Sequence, residues 1–459
     1  MRHVLKTISA VLVAAVSPTL AHAQSQAQTQ AQTQAQTQAQ TRTQTQTQTQ
    51  TQTQTWPARG VTWQASYTGE AAAVVDGGLD NKSAYAGQLM LGADLDLETL
   101  SGWKGATLHV AVVNRHGDNL SDRGIGNSTS IQEIYGAQNS RLTLFSLEQS
   151  LFDGRLVLEG GRTVANISFL GSPLCQYFQT NSACGNPTFV FKTSNFTYWP
   201  VSSWGAHAKA WLTPNIYAHL GVYEVNPERA RNSDHGLDWD THASTGVIAP
   251  FALGYRTTAE TDAYPRAYEV GGWYDQSDYA DPLDDATGVP AAVSGRPYAV
   301  RNGRSGVFAR FEQTAWHADG DTKRNLTVFG AALAKTSGET VESDFQQLGF
   351  VLKGPFAARP ADSLAFVATR QAYSDEALEN LRLTRAAAGG TGTPADDQIM
   401  MELSYGFQVT PAVRIQPNVH YIVRPDQLNA PQRTENLPNA LAIGVRLDMN
   451  LADAFGLNR

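Results

Sequence analysis

The chain has 459 residues, and its 34 basic and 42 acidic side chains give a net charge of −8 at pH 7. This length suits two or three ordinary domains or one large β-structure, and the mild acidity argues against a nucleic-acid-binding protein. Two cysteines are too few for a disulfide framework or a cysteine-based zinc module. No apolar run of about 18 residues follows the N-terminus, which excludes a transmembrane helix but leaves a transmembrane β-barrel open.

The first 55 residues are predicted to be an export signal and a tether. Residues 1–23 begin with basic side chains, continue through an apolar stretch and end in Ala-His-Ala, as secretory signal peptides do. Residues 24–55 consist almost entirely of Gln, Thr and Ala, which predicts a disordered tether. A short buried helix and an aggregation-prone strand are the respective alternatives.

Residues 56–459 are predicted to form one β-barrel, because runs of alternating apolar and polar residues recur along them. The clearest run is the last, where Leu441, Ile443, Val445 and Leu447 alternate with smaller or polar residues. Such runs approach the 9–11 residues, roughly, that a tilted membrane strand needs. Sixteen segments are predicted, at 61–69, 87–97, 105–115, 141–149, 153–162, 204–212, 215–225, 246–257, 266–275, 306–317, 323–335, 345–353, 362–372, 398–410, 412–424 and 440–451.

The connections between these segments alternate between long and short. Outer-membrane barrels have this asymmetry, with long extracellular loops and short periplasmic turns, and the order places both termini in the periplasm. Closure of the sheet into a barrel lets every backbone N–H and C=O group form a hydrogen bond in lipid. A barrel of sixteen strands encloses an aqueous lumen rather than a packed core. A soluble β-sandwich or β-helix with one wet face is the alternative.

Nine stretches in a fixed order resemble a known family. They are DLDLETLSGWKGATLHV (94–110), RHGDNLSDRGIGNSTSIQEIYG (115–136), LFDGRLVLEGGR (151–162), CQYFQTNSACGNP (175–187), YWPVSSWG (198–205), GVYEVNPE (221–228), YEVGGWYDQS (268–277), GFVLKGPFAARPAD (349–362) and IQPNVHYIVRP (415–425). They are similar to the carbohydrate-selective porin family (OprB type). Members commonly end in an aromatic residue that serves barrel assembly. This sequence ends in Arg459, eight residues after Leu451, where the last predicted segment ends.

The resemblance implies an all-β, transmembrane, antiparallel up-and-down barrel of about sixteen strands in the outer membrane of a Gram-negative bacterium. It implies passive diffusion of monosaccharides such as glucose through a weakly sugar-binding channel, without enzymatic activity. The implied partners are small carbohydrates, outer-membrane lipid and the barrel-assembly machinery, with no nucleic acid, in a monomer or a homotrimer. A non-selective general porin, a secreted β-rich carbohydrate-active enzyme and a surface adhesin are the alternatives.

The alternation also selects side chains for the sugar channel. In 307–312, Val307, Ala309 and Phe311 suit lipid, so Arg310 and Glu312 face the lumen. Arginine and carboxylate groups can exchange hydrogen bonds with sugar hydroxyls, while aromatic rings stack on the sugar faces. By this reasoning seven residues are predicted to line the pore and contact sugar, namely Arg115, Arg162, Arg310, Glu312, Glu402, Arg414 and Arg446. Without sugar contact they would be ordinary wet lumen residues.

The longest connection, 163–203, is the best candidate for a loop that narrows the channel. We expect a Trp or Tyr of an infolded loop to complete the constriction. Cys175 and Cys184 lie in this loop, close enough in sequence for a disulfide worth about 2–3 kcal/mol. The alternative is two reduced thiols.

No catalytic motif is evident, and neither a cofactor nor a metal is predicted. The densest cluster of metal-ligating residue types lies in 234–242 and includes Asp238, Asp240 and His242. On a strand these three side chains would share one face and could ligate a metal. We interpret the segment as a hydrophilic external loop instead.

Overall fold

The computed structural model describes residues 60–183, 187–319 and 321–458, so the predicted signal peptide, the tether and Cys184 lie outside the described residues. Sixteen antiparallel strands close into a barrel within these ranges. They are β1 Val61–Asp76, β2 Ser83–Asp96, β3 Ala106–Gly117, β4 Ser140–Leu151, β5 Leu156–Thr163, β6 Ser203–Trp211, β7 Ile216–Val225, β8 Gly246–Arg256, β9 Arg266–Asp285, β10 Tyr298–Ala318, β11 Asp321–Ser337, β12 Glu342–Lys353, β13 Ser363–Tyr373, β14 Asp397–Thr410, β15 Val413–Val423 and β16 Ala440–Asn450.

Each strand pairs with its neighbours in sequence, and β1 closes the barrel against β16. The closing register runs from Ser66 opposite Asn450 to Asp76 opposite Leu441, with an irregularity after Val74. All sixteen predicted segments overlap a strand, so the prediction of an up-and-down barrel is confirmed.

Six α-helices accompany the strands in the described ranges. They are α1 Leu97–Ser101, α2 Ala165–Ser168, α3 Pro187–Thr193, α4 Ala291–Ser294, α5 Asp375–Ala387 and α6 Leu451–Ala454. None of the helices in the described ranges is long and apolar enough to cross a membrane. After α6 the chain folds back to β1, where the Asn458 amide donates to the Trp63 carbonyl at 2.8 Å and accepts from the Trp63 N–H at 2.7 Å.

The strands differ in length more than the alternation predicted. β9 and β10 extend well past their predicted segments, so the connection between them shrinks to 286–297. The β1–β2 and β11–β12 connections, at 77–82 and 338–341, are also short, and the β2–β3 turn at 97–105 is longer than either. The expectation that every connection at one end exceeds every turn at the other is therefore wrong. The added part of β9, at 276–285, is largely polar and lacks the continuous apolar face that marks a membrane-spanning strand.

The end of the barrel that holds the start of β1 is called the terminal end here, and the opposite end the loop end. Two loop-end connections, 118–139 and 164–202, fold into the barrel. The inner faces of β7–β12 carry apolar side chains that pack on the second connection, including Tyr223, Trp273 and Phe308. The prediction of a lumen without a packed core is wrong on this side. The infolded loop covers the apolar inner face of the wall, which would otherwise contact water.

Candidate functional site

The loop 164–202 crosses the lumen and is fixed to opposite sides of the wall. Its apolar side chains Phe169, Phe189 and Phe196 are buried against the inner faces of β7–β12. The rings of Phe189 and Trp273 meet edge to face, with their centroids 6.1 Å apart. Burial of several aromatic side chains holds this part of the loop on the wall.

The loop 118–139 joins the first loop in one inner layer. The Glu133 N–H donates to the Gln179 carbonyl at 2.8 Å, and the Asn181 N–H donates to the Ser130 carbonyl at 3.1 Å. Lys192 of α3 links the two loops to each other and to the wall. Its ammonium donates to the Ser128 hydroxyl of the loop 118–139 at 2.6 Å and pairs with the Glu342 carboxylate of β12 at 3.2 Å. The two loops therefore narrow the channel as one unit.

A cavity remains between this layer and the wall, and four of the seven predicted residues line it, namely Arg310, Glu312, Arg414 and Arg446. On β10, Arg310 Nε lies 2.9 Å from Glu269 Oε1, and the carboxylate of Glu312 accepts from the Ser172 hydroxyl at 2.6 Å. The guanidinium of Arg310 also donates to the Gly171 carbonyl at 2.6 Å. These two side chains thus line the cavity and contact the loop.

The second charged group lies on β15 and β16. Arg414 and Arg446 both donate to the Asp448 carboxylate, at 3.0 Å each. Arg446 reaches further, to Glu70 Oε1 at 2.8 Å and Glu133 Oε2 at 3.2 Å. The wall side of the cavity therefore presents cations and carboxylates, called the charged ladder here, namely Glu269, Arg310, Glu312, Arg414, Arg446 and Asp448.

The loop side of the cavity is aromatic. Phe191, Tyr198 and Trp199 line it, and the Phe191 side chain is 60% exposed. The ring centroids of Phe191 and Tyr198 are 6.2 Å apart. A charged ladder facing apolar rings can hydrogen-bond the hydroxyls of a flat polar solute and contact its faces at the same time.

The other three predicted residues are covered by loops rather than exposed to the channel. Arg115 donates to Gln88 Oε1 at 2.8 Å, and the Trp199 indole N–H donates to that oxygen at 3.2 Å. Arg162 donates to the Asp238 carbonyl at 2.8 Å. Glu402 lies beneath the 164–202 loop. All three are 2% exposed or less, because the alternation fixes the side of the wall a residue faces but does not show what covers it.

The predicted external loop 234–242 lies beside the start of β4, which extends past the end of its partner β5. The Leu142 N–H of β4 donates to the His235 carbonyl at 2.8 Å, and His235 Nδ1 lies 2.7 Å from the Ser140 carbonyl. Trp239 packs outside against Trp204 and Phe145. No group of three His, Cys, Asp or Glu residues is placed to hold a metal ion in the described ranges. The disulfide between Cys175, which lines the cavity, and the undescribed Cys184 stays a prediction.

Sequence reasoning missed Glu269 and Glu133 as cavity residues. Glu269 alternates with the outward-facing Tyr268 and Val270, so the same pattern that selected Arg310 could have identified it. Glu133 lies in a loop, where alternation carries no information, and only the fold brings it to the cavity.

The comparisons with known proteins agree with this architecture. Residues 80–451 match the model of the family described as carbohydrate-selective porin, OprB family. Porin B of Pseudomonas aeruginosa is 31% identical over 404 residues, which cover 85% of this chain and 87% of that protein. The high-pH structure of Pseudomonas putida OprB superposes with a TM-score of 0.77 at 29% identity, covering 85% of this chain and 94% of the other. The low-pH structure gives 0.51 at 22% identity and supports the fold alone.

Proposed function

Because this chain belongs to the OprB family of carbohydrate-selective porins and is a sugar-selective porin of the outer membrane, we propose that monosaccharides such as glucose diffuse passively through its lumen. The observation that carries the choice of substrate is the cavity, where a charged ladder on the wall faces Tyr198 and Trp199. A monosaccharide presents hydroxyls around an apolar ring, so both sides of the cavity fit it.

The charged ladder also accounts for weak binding. Each carboxylate and guanidinium named above already hydrogen-bonds a neighbour, as Arg310 does with Glu269 and Arg414 with Asp448. A sugar hydroxyl must exchange with these bonds or use the remaining N–H donors, so the net gain in free energy is small. Weak binding suits a channel, because the solute must leave on the far side.

The direction of insertion follows from the two ends of the barrel. The infolded loops 118–139 and 164–202 and the longer connections 226–245 and 374–396 all lie at the loop end. In outer-membrane barrels the longer loops are extracellular, which supports our proposal that both termini lie in the periplasm. We propose in addition that residues 1–23 direct export and are cleaved after Ala23.

The experiment is a glucose titration of the ion current through single channels in planar bilayers. Glucose should reduce the current in a saturable manner, beyond the effect of viscosity. Arg310→Ala should weaken this block about tenfold, since one hydrogen bond to a charged group is lost, which corresponds to about 1.4 kcal/mol.

Arg301→Ala is the matched control, because Arg301 lies on the projecting part of β10, pairs with Asp281 at 2.9 Å and does not line the cavity. Its block should equal that of the wild type. A current reduced no more by glucose than by a non-sugar solute of similar size would show a general porin and refute the proposal.

A further inference from the structure

One stretch of the infolded loop is held by the wall through its backbone. The carbonyls of Gln176, Tyr177 and Phe178 accept hydrogen bonds from wall side chains, at 2.5, 2.6 and 3.1 Å respectively. The donors lie on three neighbouring strands and are Arg414, Ser404 and Arg446. Three consecutive carbonyls are thus bound by side chains of β15, β14 and β16 respectively.

The next two residues present N–H groups instead, and one wall carboxylate accepts both. Glu402 Oε1 lies 2.8 Å from the Gln179 nitrogen, and Glu402 Oε2 lies 2.8 Å from the Thr180 nitrogen. Glu402 is 0% exposed. A buried carboxylate needs such donors, because its transfer from water is costly unless it is hydrogen-bonded.

A second polar layer supports this contact. Asn418 donates to Gln179 Oε1 at 2.8 Å, and His420 Nε2 lies 2.9 Å from Asn418 Oδ1. His420 Nδ1 lies 3.8 Å from the Glu402 carboxylate. The wall therefore holds the Gln179 side chain through Asn418 as well as the Gln179 backbone through Glu402.

We propose that Glu402 is a positioning residue that sets the width of the channel by fixing the loop backbone at 179–180. The loop bridges the two charged groups of the cavity, since Gly171 and Ser172 contact β10, while 176–178 contact β14–β16 directly before the stretch that Glu402 holds. Release of 179–180 lets the loop move off the wall and widens the cavity beside Arg414 and Arg446. Glu402 does this without touching the sugar.

The proposal rests on the channel proposed above, but its measurement does not depend on sugar preference. Single-channel conductance in potassium chloride reports the free cross-section of folded, inserted channels. Glu402→Ala removes both acceptors. Glu402→Gln keeps one acceptor oxygen and places an NH₂ donor against a backbone N–H donor, at the position from which Oε1 accepts from the Gln179 N–H, so it weakens the contact.

Both variants should raise the conductance about twofold, as a doubling of the free cross-section would. Glu402→Asp, which keeps two acceptor oxygens, should stay close to the wild type. Glu159→Gln is the matched control, because Glu159 is a buried wall carboxylate that contacts Ser146 and His207 rather than the loop stretch. Its conductance should not change.

Wild-type conductance in both Glu402→Ala and Glu402→Gln would overturn the proposal, and so would an equal rise in Glu159→Gln. If Glu402→Ala yields no folded barrel, the double variant Ser404→Ala/Asn418→Ala removes two neighbouring contacts with the same loop stretch and should also raise the conductance. A channel that widens in these variants but shows no block by glucose would refute the sugar proposal alone.

Discussion

At the turn before β13, one carboxylate collects four hydrogen bonds. Asp362 accepts from Arg359 at 2.5 and 2.9 Å, from the Tyr405 hydroxyl at 2.9 Å and from the Gln408 N–H at 3.0 Å. The hydrogen bond from the Arg359 guanidinium lowers the pKa of Asp362 below its usual value. A carboxyl group whose pKa is lowered by folding stabilises the fold above its unfolded pKa, and this contribution is lost as the pH falls through the folded pKa.

Asp362→Asn should therefore lower the free energy of unfolding at pH 7 by about 1–3 kcal/mol, the usual effect of losing buried hydrogen bonds. The difference from the wild type should begin to shrink as the pH falls below the unfolded pKa of about 3.9, and should vanish only below the lower pKa of the folded state. The check is the midpoint of thermal unfolding of both proteins at pH 7 and at pH 3, with gel mobility as the measure of unfolding. An equal difference at both pH values would contradict the account.

Two of the predicted site residues show what the alternation of apolar and polar residues can predict. It placed Arg310 and Glu402 on the inner face of the wall, and both lie there. It did not separate them, although Arg310 lines the cavity while Glu402 is covered by the loop. Which inward side chain meets the channel depends on contacts between residues more than 200 positions apart, such as Glu402 with Gln179, and no local pattern records these.

At the scale of the strand, glycines and aromatic rings fit together across neighbouring strands. The Tyr217 ring of β7 lies over Gly254 of β8, where an added Cβ would be 2.1 Å from the ring. The Tyr217 hydroxyl donates to Glu269, which in turn pairs with Arg310. The glycine thus makes room for a side chain that supports the charged ladder.

Gly254→Ala should cost about 1–3 kcal/mol of folding free energy, because the ring must leave its site, and should weaken the block by glucose. Gly160→Ala on β5 is the control, since its Cβ would meet Ala206 at an ordinary 3.7 Å. Thermal midpoints and current block in the two variants make the comparison. A Gly254→Ala channel that behaves like Gly160→Ala would refute the role of this contact.

The number and order of the strands could be predicted because a membrane strand must be apolar on one face over a fixed length. Their full extent could not, as β9 shows. Its predicted segment 266–275 ends where the outward face loses its apolar side chains, but pairing with β10 continues to Asp285. Outside lipid a strand needs only its hydrogen-bonded partner, so the hydropathy pattern stops before the strand does.

Across the whole molecule, the interior combines apolar side chains that pack on the loop 164–202 with charged side chains that line the cavity. The loop packs on β7–β12 with Phe169 and Phe189, while Arg310 of β10, Arg414 of β15 and Arg446 of β16 line the cavity. The sequence identified the longest connection as the constriction loop but did not indicate the apolar inner wall. Trp273 and Phe308 are buried on strands in which apolar and polar residues alternate, and the inner face of these strands was expected to contact water.

The narrowed lumen should pass sugars faster than other solutes of the same size. Liposome swelling with purified, refolded protein measures this preference, with glucose and other monosaccharides compared with neutral or zwitterionic non-sugar solutes of similar size. We expect faster swelling for the sugars and a smaller difference in Arg310→Ala. Equal swelling for all solutes in the wild type would refute a sugar-selective lumen.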